Sequence, residues 1–316
     1  MASYSRALIM AVLIGVFVWY TPAISMPLAH AFQSATDYFD RRPEHTVLFI
    51  GNSRTSHHDM PFMLRRIADS AHAPELYRIV VHAPGGATLA DHWNTPSVHA
   101  LLKQKWRNVI IQAQSSEHVS DDDDANFHRY GTQLIGEARG NGSVPLLYVT
   151  WAYAENFEYY DSRPELRHRY YDIMQQSHQR LAARTSTDMV NVGEAWQRLL
   201  AQNPAFSLYE DGNHPTVHGS YLAALMLYGS LCGRECGKVS YVPAGISDTD
   251  AEQIRTLCAD TIATACERGS SGWIERLATW AGVTKTWMPA TGAGMTRWRP
   301  ERCDQGRLRT RPARRP

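Results

Sequence analysis

No cysteine precedes Cys232 in this 316-residue chain, and all five, Cys232, Cys236, Cys258, Cys266 and Cys303, fall late. None can take part in the motifs of the first 230 residues. Charge of one sign is also lacking: Lys+Arg 32 against Asp+Glu 31 leaves a net charge of +1. That balance gives no general case for binding nucleic acid or a strongly charged substrate. A membrane-spanning helix needs about 20 apolar residues, and the N-terminal apolar run, Ala7 to Tyr20, falls short of that.

What is present there suits export. Arg6, the run to Tyr20, and Ala29-His30-Ala31 before Phe32 have the layout of a secretory signal peptide over residues 1–31. An uncleaved N-terminal anchor is the alternative, and either way a periplasmic or extracellular location is expected. In an oxidising compartment Cys232, Cys236, Cys258 and Cys266 could form two disulfides with three possible connectivities, pinning a C-terminal helix to the one before it. The Cys232 and Cys236 spacing makes an acceptable half-site for zinc, but Cys258 and Cys266 are too far apart to complete it.

Strands and helices alternate along the chain. Thr46 to Ile50, Tyr77 to His82, Arg107 to Gln112, Pro145 to Thr150 and Met189 to Val192 read as short strands. Helices are predicted at Met60 to Ala71, Val98 to Gln104, Asn126 to Arg139, Arg163 to Arg184, Glu194 to Ala201 and after Pro215. Strands apolar on both faces suit a parallel sheet covered on both sides, so the expected fold is α/β, doubly wound and mainly parallel, with five strands. The organisation expected is a catalytic domain over 32–240, a helical extension over 241–288 containing Ser247 to Glu267 and Gly272 to Ala281, and a disordered tail over 289–316. That tail holds eight arginines between Arg297 and Arg315 and could touch an anionic envelope surface.

Two segments carry chemistry. Val47-Leu48-Phe49-Ile50 leads into Gly51-Asn52-Ser53-Arg54-Thr55, and Asp211-Gly212-Asn213-His214-Pro215 follows much later. A serine hydroxyl is a poor nucleophile at neutral pH. An imidazole must take its proton, and a carboxylate must hold that imidazole in the right tautomer. Ser53, His214 and Asp211 are the three parts, with Gly51 allowing the chain to bend after the strand.

These segments resemble the SGNH, or GDSL-type, serine hydrolases, and most closely the bacterial branch whose first motif reads Gly-Asn-Ser-x-Thr. Gly51 to Thr55 matches the nucleophile motif and Asp211 to His214 the terminal Asp-x-x-His motif; Ala83-Pro84-Gly85-Gly86-Ala87-Thr88-Leu89 matches the second motif. The likeness spans roughly residues 45 to 230 and implies the flavodoxin-like SGNH fold. It also implies that Ser53 and Gly86 supply oxyanion donors. The third motif departs from the family. Where Gly-x-Asn-Asp is usual, Val109-Ile110-Ile111 leads into Gln112-Ala113-Gln114-Ser115-Ser116-Glu117. Gln114 is the expected replacement donor, with Gln112 and Ser116 behind it. Asn52, His92, Trp93 and Trp151 are further candidates to face the substrate.

The expected function is therefore a serine esterase, working through an acyl-enzyme on small acyl esters, with O-acetyl groups of a carbohydrate as first choice. A lipid acyl ester is the enzymatic alternative, and a catalytically silent carbohydrate-binding envelope protein the non-enzymatic one. No cofactor or metal is expected. Asp121-Asp122-Asp123-Asp124 reads as a solvated helix N-terminus rather than a calcium loop. His57-His58-Asp59 has metal-ligand residue types at poor spacing, in a loop beside the nucleophile.

Overall fold

The structure, a computed structural model, describes residues 40–232 and 238–267. The expected signal peptide, the Gly272 to Ala281 helix and the arginine-rich tail lie outside them. Two compact units divide the described residues: 40–44 with Pro74–Leu76, and His45–Ala73 with 77–232 and 238–267. In the first, Leu76 N donates to Pro43 O at 2.9 Å and Arg42 pairs with Asp40 at 2.8 Å.

Five strands, β1 (Glu44–Ile50), β2 (Leu76–His82), β3 (Asn108–Ile111), β4 (Val144–Val149) and β5 (Asp188–Asn191), form one all-parallel sheet in the order β2-β1-β3-β4-β5. The register pairs Val47 with Asn108, Asn108 with Val144, and Leu146 with Asp188. Strand order reverses between β1 and β3, the switch point where sheets of this kind open a crevice beyond their strand ends. Ser53 and Gln114 follow those two strands.

The helices are α1 (Ser53–Ser56), α2 (Met60–Ser70), α3 (Leu89–Trp93), α4 (Pro96–Leu102), α5 (Asp121–Gly140), α6 (Tyr170–Thr185), α7 (Val192–Gln202), α8 (Val217–Cys232) and α9 (Asp248–Glu267). Alternating strand residues supply two cores because successive side chains point to opposite faces. Val47 and Phe49 join Ile110, Tyr148 and Val190 under α2, α7, α8 and α9. Leu48 and Ile50 join Val109, Ile111 and Leu147 under α3, α4, α5 and Leu181 of α6. Helix α8 is buried almost all round, the mark of a helix packed between others.

Three expectations change. The Arg163 to Arg184 helix begins only at Tyr170, after a short 3-10 turn over Pro164–Leu166. The helix expected from Asn126 begins at Asp121, so the acidic run, read as a helix N-terminus, forms the first turn of α5, where the helix dipole favours carboxylates, and Ser120 caps it by accepting from Asp123 N at 3.1 Å. Cys258 is a free, fully buried thiol, so two bridges among Cys232, Cys236, Cys258 and Cys266 do not form. Its place is apolar: Cys258, Ala251, Ile254 and Leu257 put α9 into the same core as α8. Cys236, Cys266 and Cys303 lie outside the residues whose side chains are described.

Candidate active site

The nucleophile turn is built by crowding. A Cβ on Gly51 would sit 2.4 Å from Thr55 Oγ1 and 2.7 Å from Gln112 Oε1, so only glycine fits between them. Asn52 then caps α1, its Oδ1 accepting from Arg54 N at 3.2 Å. Its Nδ2 donates to Ala87 O at 3.2 Å, tying the turn to the glycine loop after β2. Ser53 is left half-buried at the first position of the helix.

Opposite it, Asp211 folds its own loop. Its Oδ1 accepts from the amides of Asn213 at 2.9 Å and His214 at 2.7 Å, and its Oδ2 faces His214 Nδ1 at 2.7 Å. His214 Nε2 lies 3.0 Å from Ser53 Oγ. With Nδ1–H donating to the carboxylate, Nε2 is free to accept from the serine hydroxyl, the tautomer that general-base work needs. Burial opposes ionisation of Asp211, but the His214 ring and the two amides outweigh it and hold the carboxyl well below the usual range. Ser53, Asp211 and His214 thus form one hydrogen-bonded chain.

The loop is anchored from below. Trp151, fully buried and stacked on Trp196 at 4.0 Å, donates Nε1–H to Asn213 O at 3.0 Å. Arg54, only 2% exposed, donates Nε–H to Asn213 Oδ1 at 3.0 Å and Nη1–H to Thr150 Oγ1 at 3.1 Å. A further bond goes from Nη1 to Trp151 O. The guanidinium also lies over the rings of Trp151 at 5.2 Å and Tyr153 at 4.9 Å. No carboxylate pairs with it among the described residues, so π-faces and neutral acceptors hold the charge. Replacing it with the similarly long but neutral methionine, Arg54→Met, is expected to lower unfolding stability by about 2–4 kcal/mol, since two buried acceptors and the half-buried Asn213 Oδ1 lose their donor. Turnover should fall as well. Urea unfolding checks the first effect, and wild-type stability in the variant would refute it.

The oxyanion candidates border the same turn. Gly86 is exposed with φ +70, a left-handed conformation that only glycine adopts without strain, and nothing lies within 4 Å of the position a Cβ would take. Gln114 is half-buried and its Oε1 accepts from Ser116 N at 2.6 Å and Ser116 Oγ at 2.7 Å. That turns its amide NH2 away from its own loop, and it engages Ser116 as a support rather than as a second donor.

Besides Asn52, which is buried with its side-chain amide engaged by Arg54 N and Ala87 O, four of the residues expected to face substrate are placed otherwise. Gln112 is fully buried, its Oε1 clamping Asn52 N at 2.9 Å and Thr55 Oγ1 at 2.8 Å. His92, 1% exposed, reaches Gly51 O through Nε2 at 2.9 Å. Burial, then the His82 ring, lowers its pKa to about 4, so it is a neutral donor bracing the turn. Trp93 packs against the second core and Trp151 belongs to the first. Gln112 and Trp151 follow strand ends, where one side faces the crevice and the other the neighbouring layer, and His92 and Trp93 sit on α3; all four end up supporting the turn, its loop or the core.

Some site residues gave no signal in sequence. Besides Arg54, Glu117 accepts from Leu89 N at 3.0 Å and Gln114 N at 2.7 Å, joining the loops after β2 and β3. Burial raises its pKa to about 7 despite those two amides. A carboxyl so raised takes up a proton on folding. Its stability contribution is fully present below the ordinary 4.5 and is lost as pH rises through about 7. Wild-type unfolding free energy should therefore fall over that window more steeply than that of Glu117→Gln, and equal slopes in urea titrations would refute this. His57 stacks on His214 at 4.6 Å with planes 16° apart. Burial, then the neighbouring His214 and His58 rings, lowers its pKa.

No protein-family model and no curated protein matches the sequence. Solved structures do. A proposed SGNH hydrolase from Slackia heliotrinireducens is similar at 27% identity and TM-score 0.52, covering 60% of this chain and 99% of its own. A DUF4886 family protein from Bacteroides uniformis has the same fold at TM-score 0.59 and 19% identity, covering 69% of this chain and 94% of its own. With its parallel sheet in the order β2-β1-β3-β4-β5 and this likeness across nearly the whole length of the Slackia protein, the chain has the fold of the SGNH, or GDSL-type, hydrolases and is similar to them.

Proposed function

We propose that the protein is an exported serine ester hydrolase. The observation that carries this reading is the unbroken chain from Ser53 Oγ through His214 to Asp211, at 3.0 Å and 2.7 Å. Ser53 Oγ attacks the ester carbonyl as His214 Nε2 takes its proton, and Asp211 stabilises the imidazolium that forms. The oxyanion receives the amides of Ser53 and Gly86 and the side-chain NH2 of Gln114. His214 returns the proton to the leaving alcohol. Water, activated by the same imidazole, then hydrolyses the acyl-enzyme and frees Ser53.

The acyl group we favour is acetyl, and the acceptor a carbohydrate. An open cleft of about 770 Å³ borders Asp211, lined by Asn156, Phe157, Glu158, Ser207 and Tyr209 among others. Polar groups around the three aromatic rings of Phe157, Phe206 and Tyr209 suit a sugar better than an acyl chain. A fluorophosphonate probe should label the wild-type protein at one site, and peptide mapping should place the adduct on Ser53. Acetylated sugars should then release acetate. A protein that takes up no probe and frees no acetate would be a silent member of the fold.

A further inference from the structure

Beside the triad sits a group of side chains that the reaction does not use. His57 and His58 follow α1, and Glu210 immediately precedes Asp211. The Nε2 atoms of both histidines lie 3.3 Å from the same carboxylate oxygen, Glu210 Oε2. All three donor atoms fall within 4.8 Å of one another. His58 Nε2 is shielded from solvent yet makes no hydrogen bond.

The backbone is bent to bring these donors together. His58 and the following Asp59 both have left-handed conformations, φ 49 and φ 57, which are uncommon for residues other than glycine. The turn sets adjacent imidazoles edge to face, with centroids 5.2 Å apart and planes at 85°, both facing Glu210. The donor spacing is informative. Two ligands of one tetrahedral zinc, each about 2.0–2.1 Å from the metal, lie about 3.3 Å apart, the separation seen for both nitrogen–oxygen pairs.

We infer that His57, His58 and Glu210 form a binding site for a divalent transition ion of the zinc class, and that its occupation reversibly inhibits the enzyme. Two imidazoles and a carboxylate suit Zn2+ and not Mg2+ or Ca2+, which prefer all-oxygen shells. Three protein ligands leave a coordination position for water, and the Glu210 carboxylate is 55% exposed, so the ion has a way in. His57 is both a ligand and the ring stacked on His214. A doubly charged ion held there opposes the positive charge that His214 gains when Ser53 gives up its proton. Binding itself does not depend on the proposed ester chemistry; the inhibitory consequence does.

The test starts from metal-free protein. Calorimetric titration of Ser53→Ala with ZnCl2 should show one saturable site, and CoCl2 should develop the visible absorption of a low-coordinate cobalt centre. Adding Glu210→Gln, or His58→Asn, which tolerates a left-handed backbone, should weaken zinc binding about 100-fold or more. In the Ser53 protein, zinc at saturating concentration should cut p-nitrophenyl acetate turnover about ten-fold or more, with full recovery on adding EDTA. His58→Asn should keep its metal-free rate and lose this sensitivity. Absence of saturable binding, or equal affinity in both variants, would overturn the site. Equal inhibition of His58→Asn would place the inhibitory ion on His214 instead and overturn the regulatory role. A metal-free wild type that turns over no ester would end the ester reading, while the calorimetric and cobalt titrations would still decide the site.

Discussion

Changing Ser53 to alanine lowers ester turnover by about 10^5-fold or more, the scale on which a serine nucleophile acts. The change removes one oxygen from a half-buried side chain at the first turn of α1. Asn52 still caps that helix and Gln112 still clamps Asn52 and Thr55. Folding should therefore survive, and the loss belongs to chemistry. His214→Ala should cost a similar factor, and the double variant little more than either one, because the imidazole contributes only through the serine it activates. Initial rates with p-nitrophenyl acetate measure all three. If wild type and Ser53→Ala release product equally slowly, the assignment of the nucleophile is wrong.

Asp211→Asn should lower kcat by about 10^4-fold while leaving the loop nearly in place. An asparagine oxygen can still accept from the amides of Asn213 and His214, as Asp211 Oδ1 does at 2.9 Å and 2.7 Å. Its NH2 would then face His214 Nδ1 and demand an acceptor there. That forces the proton onto Nε2, the atom 3.0 Å from Ser53 Oγ, where an acceptor is needed. The carboxylate also loses its role toward the imidazolium. Because hydrogen bonds hold the Asp211 pKa down, the native carboxylate stays charged in moderately acidic solution, and the loss should be seen at every such pH. A reduction below ten-fold would show that Asp211 is only a loop former.

The sheet was legible because its strands are short apolar runs with no competing signal. Val109-Ile110-Ile111 can only be buried, and it forms the central strand β3. Helix α3 was missed: five residues over Leu89–Trp93 are too few for periodicity, and its real signature is the capping box between Thr88 and Asp91. At the site, Ser53, Asp211 and His214 were readable because their roles depend on residue type and local order. Arg54 occupies a position within the nucleophile motif that specifies no residue type, and its importance appears only when Asn213 and Trp151 arrive from distant loops. Glu117 is similar, since its two partners are amides whose positions no side-chain pattern reveals. Gln112 and Trp151 were misplaced for the opposite reason: correct types at strand ends, with a facing direction that adjacency in sequence does not set.

The turn from Asp211 to His214 has a mechanical consequence. The carboxylate grips the amides of its own loop as well as the imidazole, so acid and base form one piece, held to the segment after β4 through Asn213 and Gly212. A swing of that piece would leave the Asp211–His214 bond untouched and change only the gap to Ser53 Oγ. The enzyme would then be set on or off by a single variable length, with the pair that prepares the base already assembled in both conditions.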